Sequence, residues 1–198
     1  MKSCLAIVGA ALLMFISLSY ADELKKHTTA TGTGIGQIPE HREVTRLGMN
    51  SALSEYMPLD KGSVWTYGIE SDGAPKEHTQ RIVSESGGWS IFDSYFGKES
   101  LALRIAPTGD IYVNMNGQIN TFYNAEVTAS FPEDVFETPA GRFTEVMVVT
   151  MPEGGGFWFR DVYAKGVGLV FHEHKSPKGA AAYTLLKATV RGKDYPGN

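Results

Sequence analysis

Ser63-Val64-Trp65-Thr66-Tyr67-Gly68-Ile69 decides how this chain is read. Trp65, Tyr67 and Ile69 alternate with smaller or polar residues, so an extended backbone places all three on one side. The pattern then repeats along the chain. Ser71-Asp72-Gly73-Ala74-Pro75-Lys76 supplies turn chemistry, and Gln80-Arg81-Ile82-Val83 starts a second strand. Gly88 and Gly97 bound the aromatic stretch GWSIFDSYF. In LALRI, Leu101, Leu103 and Ile105 share a side, and PTGD turns the chain into IYVNM. Asn116-Gly117 is a strong two-residue hairpin signal before QINTFY. FTEVMVVT, GFWFRDVY, GLVFHEH and YTLLKATVR complete a series of about ten strands.

No helical run among these segments is long enough for a βαβ crossover. The expectation is therefore an all-β, antiparallel meander. A sheet of this size tends to curl, close or split into layers. A strongly curled sheet or partly open barrel is the first expectation, with a two-layer sandwich as the alternative.

Upstream of the strands the pattern is different. MKSCLAIVGAALLMFISLSYADE has a basic start at Lys2, an apolar run from Leu5 to Leu18 and a small-x-small site at Ser19-Tyr20-Ala21. That is the form of a secretory signal peptide over residues 1–21. An uncleaved anchor is the alternative, since the uncharged run of roughly 20 residues is near the lower limit for crossing a bilayer. Cys4 precedes the apolar segment, which is the wrong side for lipidation at the cut. Residues 22–55 are expected to form a mobile extension carrying a short helix. Val44, Leu47, Leu53 and Met57 recur at helical intervals, and Pro58 opposes continuation. Residues 56–198 are expected to be a single β-domain.

Cleavage after Ala21 would leave 177 of the 198 residues and remove Lys2 and Cys4, the one cysteine. With 17 basic and 22 acidic side chains left, the formal charge becomes −5. Export to the periplasm or outside the cell then comes without an internal disulfide or thiol chemistry. The mild acidity and scattered basic residues argue against nucleic acid as a partner. No integral membrane segment is expected after cleavage.

Few motifs carry chemistry. His172 and His174 share one side of a strand and form the sharpest candidate metal pair. Structural zinc normally takes four ligands, and no second HxH or CxxC completes the set. Solvated polar residues on a late strand are the simpler reading. Glu133, Asp134 and Glu137 lie in a loop-like segment, without the fixed separation a glycosidase pair requires. A G-x-S-x-G elbow is absent. Gly154-Gly155-Gly156 precedes a strand without a following lysine, so it reads as a hairpin turn rather than a phosphate loop.

The aromatics offer the other reading. Trp65, Tyr67, Trp89, Phe92, Tyr95, Phe96, Tyr112, Phe157, Trp158 and Phe159 could line an apolar cleft, or form the core of a disulfide-free domain. Trp158 has opposite parity to Phe157 and Phe159. One side of that strand must therefore expose a large ring or pack it elsewhere. Trp65, Tyr67, Trp89, Trp158 and Lys165 are the ligand-facing candidates.

Three stretches carry a resemblance. Tyr56-Met57-Pro58-Leu59 before Gly62-Ser63-Val64-Trp65-Thr66-Tyr67, then Thr138-Pro139-Ala140-Gly141-Arg142-Phe143, then Tyr163-Ala164-Lys165-Gly166-Val167-Gly168-Leu169-Val170 follow in order. Together they resemble elements of a group of exported, lipoprotein-like bacterial β-proteins of unknown function. The resemblance covers roughly residues 56–191. It implies an envelope β-domain and transfers no active site.

The reading that follows is a non-enzymatic secreted or periplasmic envelope protein that binds an apolar ligand such as a lipid, a glycan or another envelope protein. No cofactor is expected. A metal-assisted or carboxylate-based hydrolase is the alternative.

Overall fold

The computed structural model describes residues 43–44, 49–71, 76–96, 101–123, 127–154 and 156–196. The signal-peptide reading and most of the proposed extension, including His27 and His41, lie outside them. The elements in chain order are β1 (Glu43–Val44), α1 (Met49–Tyr56), β2 (Val64–Ser71), β3 (Lys76–Ser86), β4 (Trp89–Phe92), β5 (Leu101–Ile105), β6 (Ile111–Met115) and β7 (Gln118–Thr121). There follow β8 (Thr128–Ser130), β9 (Phe136–Thr138), β10 (Gly141–Phe143), β11 (Val146–Gly154), β12 (Phe157–Ala164), β13 (Gly168–Ser176), β14 (Gly179–Val190) and β15 (Lys193–Tyr195).

Thirteen strands form one antiparallel sheet, and β9 pairs with β10 as a separate ribbon. The order is β1-β8-β11-β12-β13-β14-β2-β3-β4-β5-β6-β7, with β15 added beside β14. Two meanders, β2 to β7 and β11 to β14, are thus joined where β14 pairs with β2.

This pairing corrects the expectation of a strongly curled sheet or partly open barrel. The path is open, with β1 and β7 at its ends and no pairing between them. Barrel closure would require the end strands to complete one another's hydrogen-bond ladders. Here the two arms meet through side chains instead. Leu101 and Val113 from one arm line the same space as Phe159 and Tyr163 from the other.

β3 divides its length between two neighbours within the first arm. Its Lys76–Arg81 half pairs with β2, and its Ile82–Ser86 half pairs with β4. A register shift between Ile82 and Ser84 interrupts the second ladder, where a bulge bends and twists a strand. Asn116 and Gly117 both have positive φ, 53° and 83°, in the turn that pairs Met115 with Gln118. A two-residue hairpin demands that geometry, which asparagine and glycine tolerate.

The SVWTYGI stretch forms β2 with Trp65, Tyr67 and Ile69 all buried. Trp65 donates its indole N–H to the Val167 carbonyl at 2.7 Å, and the Tyr67 hydroxyl donates to the Leu169 carbonyl at 2.9 Å. Both bonds tie β2 to the chain around the β12–β13 turn. Gly168 lies against this junction. A Cβ there would come within 3.2 Å of the Trp65 indole nitrogen, and its φ of +105° also favours glycine.

α1 is the short helix expected before Pro58. Leu53, Tyr56 and Met57 are buried, so the helix and its exit strap cover core rather than project into solvent. Its end is tied down by Gly166, whose N–H donates to the Glu55 carbonyl. Among the described residues no helix is long and apolar enough to cross a membrane.

Candidate functional site

β12 alternates Phe157, Phe159, Asp161 and Tyr163 on one side. An aspartate has therefore been placed in an otherwise aromatic inward row. Asp161 is only 5% exposed. The facing strand supplies its partner, because Asp161 and His172 are directly opposed in the β12–β13 register. His174 follows two residues later on the same side, so its ring reaches His172 rather than a different face.

The polar groups form one chain of hydrogen bonds. Nδ1 of His172 is 2.5 Å from Oδ1 of Asp161, and Nε2 of His172 is 3.1 Å from Nδ1 of His174. On the other side the Tyr123 hydroxyl donates to Oδ2 of Asp161 and lies 2.6 Å from the Tyr163 hydroxyl. Burial pushes the Tyr123 and Tyr163 phenols well above their ordinary range, reinforced by the Asp161 charge, so both keep their protons at neutral pH. Burial first, and the neighbouring His172 second, lower the His174 imidazole to about 4, against a smaller opposing effect of Asp161. His174 is neutral at pH 7.

This relay forms part of the wall of a cavity of about 50 Å³. The rest of the lining is mainly apolar: Phe96, Leu101, Val113, Met115, Phe122, Phe157, Phe159 and Leu169, together with Tyr95. Tyr95 is 5% exposed. Phe96 has a φ of 47°, a left-handed conformation rarely adopted by a bulky residue. Rings on several sides hold it there, with Tyr95 and Tyr183 at 5.0 Å and Tyr67 and His172 at 5.5 Å.

The structure separates the residues singled out from sequence. His172 and His174 come together at the cavity, with Asp161 as the group that orients them. Their facing nitrogens are engaged with each other, and among the described residues no group of three or more His, Cys, Asp or Glu side chains is placed to hold a metal ion. Tyr95, Phe96, Phe157 and Phe159 line the cavity.

Trp65 and Tyr67 lie behind it, lining a smaller void of about 20 Å³ with Gln80 and Gly168. Trp89 is half-buried beneath the Arg104 guanidinium, 4.7 Å from the ring centre. Trp158 is half-buried on the opposite side of β12 from the cavity row. Lys165 pairs with Glu145 at 3.1 Å and Glu55 at 3.6 Å in the β12–β13 turn.

Sequence reading missed Asp161, Tyr123 and Tyr163. Strand parity carried a signal for two of them, since F-x-F-x-D-x-Y places Asp161 and Tyr163 in the inward row. Tyr123 follows β7 and had no comparable mark.

Comparison with known proteins adds little at residue level. Two solved structures are similar to this chain. One, from Bacteroides fragilis, is described as exported and as having a YmcC-like fold; it is 12% identical, with 67% of this chain and 98% of that one covered and a TM-score of 0.41. The other, from Parabacteroides distasonis, is described as a lipoprotein; it is 12% identical, with 67% and 97% covered and a TM-score of 0.31. No protein-family model matches the chain, and no curated protein matches it. The roles argued below rest on geometry.

Proposed function

We propose that this is a non-enzymatic extracytoplasmic binding protein whose cavity between the two sheet arms takes a small, mainly apolar ligand. The observation that carries the reading is the cavity itself, with aromatic and aliphatic walls and a few convergent polar groups at one place. An isolated core has no need for a histidine pair and a carboxylate on its inner face, since apolar residues would avoid their desolvation.

Size limits the ligand. The cavity of about 50 Å³ is a third of the ~150 Å³ that admits benzene in an engineered apolar cavity. A whole ring therefore does not fit the side chains as they stand. A narrow aliphatic chain, or the end of a longer molecule, suits the space better.

A hydrolase is the second reading, and one observation favours it: an Asp–His pair is a familiar base-orienting arrangement. Among the described residues the cavity lining contains no serine, threonine, cysteine or lysine to serve as a nucleophile. Binding is the reading that uses every lining residue.

The test is solvent extraction and mass analysis of protein purified from its own envelope fraction, beside a folded Val113→Phe variant that fills the cavity. A small apolar molecule enriched only in the wild type supports the reading. Equal extracts from both would sink it.

A further inference from the structure

The face of the first sheet arm that turns away from the cavity carries a second site, independent of the cavity and of the binding reading above. Strand parity sends Leu101, Leu103 and Val113 inward, and Arg104, Tyr112 and Asn114 to the opposite side. Register then sets a row across three strands. Arg104 of β5 is directly opposed to Tyr112 of β6. The pairing of Ser90 with Leu103 brings Trp89, the first residue of β4, alongside Arg104. The guanidinium lies 4.7 Å from the Trp89 ring centre and 5.7 Å from that of Tyr112. All three side chains are half-buried, so the row forms part of the surface.

Arg104 is placed unlike the other described arginines. Arg81, Arg142, Arg160 and Arg191 each hold a carboxylate in an ion pair. Among the described residues Arg104 holds none, and its Nε is buried without a hydrogen-bond partner. An unpartnered buried N–H costs stability. An aliphatic side chain would cover the same rings without that cost, so packing alone does not ask for an arginine. Two flanking rings hold the guanidinium in one orientation, and a fork held that way is suited to a carboxylate. The outward residues of β4, β5 and β6 include no Asp or Glu. Asp110, in the turn before β6, accepts from Thr108 at 2.8 Å and makes no ion pair with Arg104.

We infer that this face binds a sugar chain bearing carboxylate groups, with one carboxylate on the Nη edge of Arg104 and sugar rings against Trp89 and Tyr112. The unpaired cation sets the charge of the ligand. The rings on either side supply flat apolar surface for the C–H faces of a sugar, and Asn114 and Thr121 add polar groups for its hydroxyls. A sheet face is broad and open, which suits an extended chain. A lipid tail would need continuous apolar cover, which Arg104, Asn114 and Thr121 interrupt. An acidic peptide would satisfy Arg104 but brings no sugar ring to lie on Trp89 or Tyr112.

Four probes test this on the unaltered protein at pH 7.5: trigalacturonate, its methyl ester, triglutamate and phosphatidylglycerol vesicles. The ester keeps every ring and hydroxyl and loses only the charge. Titrations are followed by the NMR signals of the Trp89 indole N–H and the Arg104 Nε–H. Trigalacturonate is expected to shift both signals and to bind about 10-fold tighter than its ester, the scale of one hydrogen bond to a charged group. Arg104→Gln should reduce trigalacturonate to the affinity of the ester, and Trp89→Ala should weaken both. Val113→Phe, which fills the cavity, should leave trigalacturonate binding unchanged.

Equal binding of the acid and its ester overturns the inference, because the charge is then not read. Tighter binding of the acid that survives Arg104→Gln overturns the assignment to this row. Triglutamate that matches trigalacturonate overturns the sugar in favour of an acidic peptide. Vesicle binding without trigalacturonate binding overturns it in favour of an anionic membrane surface. Failure of all four probes overturns the inference and leaves the cavity reading standing.

Discussion

Asp161 and His172 are directly opposed residues of β12 and β13, and their side chains meet with Nδ1 of His172 2.5 Å from Oδ1 of Asp161. A cross-strand pair is the shortest structural route between two residues eleven apart in sequence. The flanking registered pairs fix its geometry without any loop. The polar centre of the cavity is therefore as rigid as the sheet that carries it.

Removing the carboxylate should cost more than removing a surface charge. Asp161→Ala leaves the Tyr123 hydroxyl and the His172 Nδ1–H without their acceptor in a buried place. The expected loss is about 2–4 kcal/mol in urea unfolding, and Asp161→Asn should recover part of it because its carbonyl oxygen still accepts. Glu137, which pairs with Arg142 where both side chains are exposed, supplies the surface comparison.

Stability should fall in acid through His174. Its folded pKa of about 4 lies below the unfolded value of ~6.5, so the unfolded chain binds more protons between those limits. The contribution is fully present above pH 6.5 and is lost as pH falls toward 4, with a ceiling on the order of 3 kcal/mol. Subtracting the pH profile of His174→Gln from that of the wild type cancels the other titrating groups, including His78, whose burial also lowers it. A flat difference between pH 4 and 6.5 would remove the claim that His174 is held neutral.

Gly168→Ala should loosen the junction between β2 and the β12–β13 turn. The new methyl would press on the Trp65 indole nitrogen, and the backbone there has a positive φ. A cost of about 1–3 kcal/mol is expected, with a shift in tryptophan fluorescence as the bond from Trp65 to Val167 lengthens. Gly166→Ala is the control for φ alone, because no atom lies within 4 Å of a Cβ at that position.

Zinc should leave the protein almost unchanged. The nitrogens that His172 and His174 turn toward each other are joined by a hydrogen bond, and that bond would have to break before both could face one ion. The melting temperature with a tenfold excess of zinc is expected to match that in chelator. A rise of several degrees in the wild type, absent in His172→Gln, would restore the metal pair.

Alternation made the strands legible. Trp65, Tyr67 and Ile69 became a buried row because a strand turns successive side chains to opposite faces. Asn116-Gly117 marked its hairpin because few other residues tolerate two consecutive positive φ values. The open sheet path was not legible. It depends on β14 pairing with β2 and β11 with β8, contacts between distant segments that local patterns do not encode.

The histidine pair stood out by its spacing, but its role did not. What defines it is Asp161 across the register, and that register includes a shift between Val162 and Tyr163 that spacing alone does not reveal. Trp65 and Tyr67, conspicuous as large aromatics, proved to be structural supports with their polar atoms bonded to backbone carbonyls.

The central claim is that the space between the two arms is a binding site, and methyl NMR tests it most directly. With Leu, Val and Met methyls labelled, 1-pentanol should shift Leu101, Val113 and Met115 in the cavity wall while leaving Val148 and Val190 in place. Shifts confined to exposed methyls such as Val83, or no shifts at all, would contradict the account.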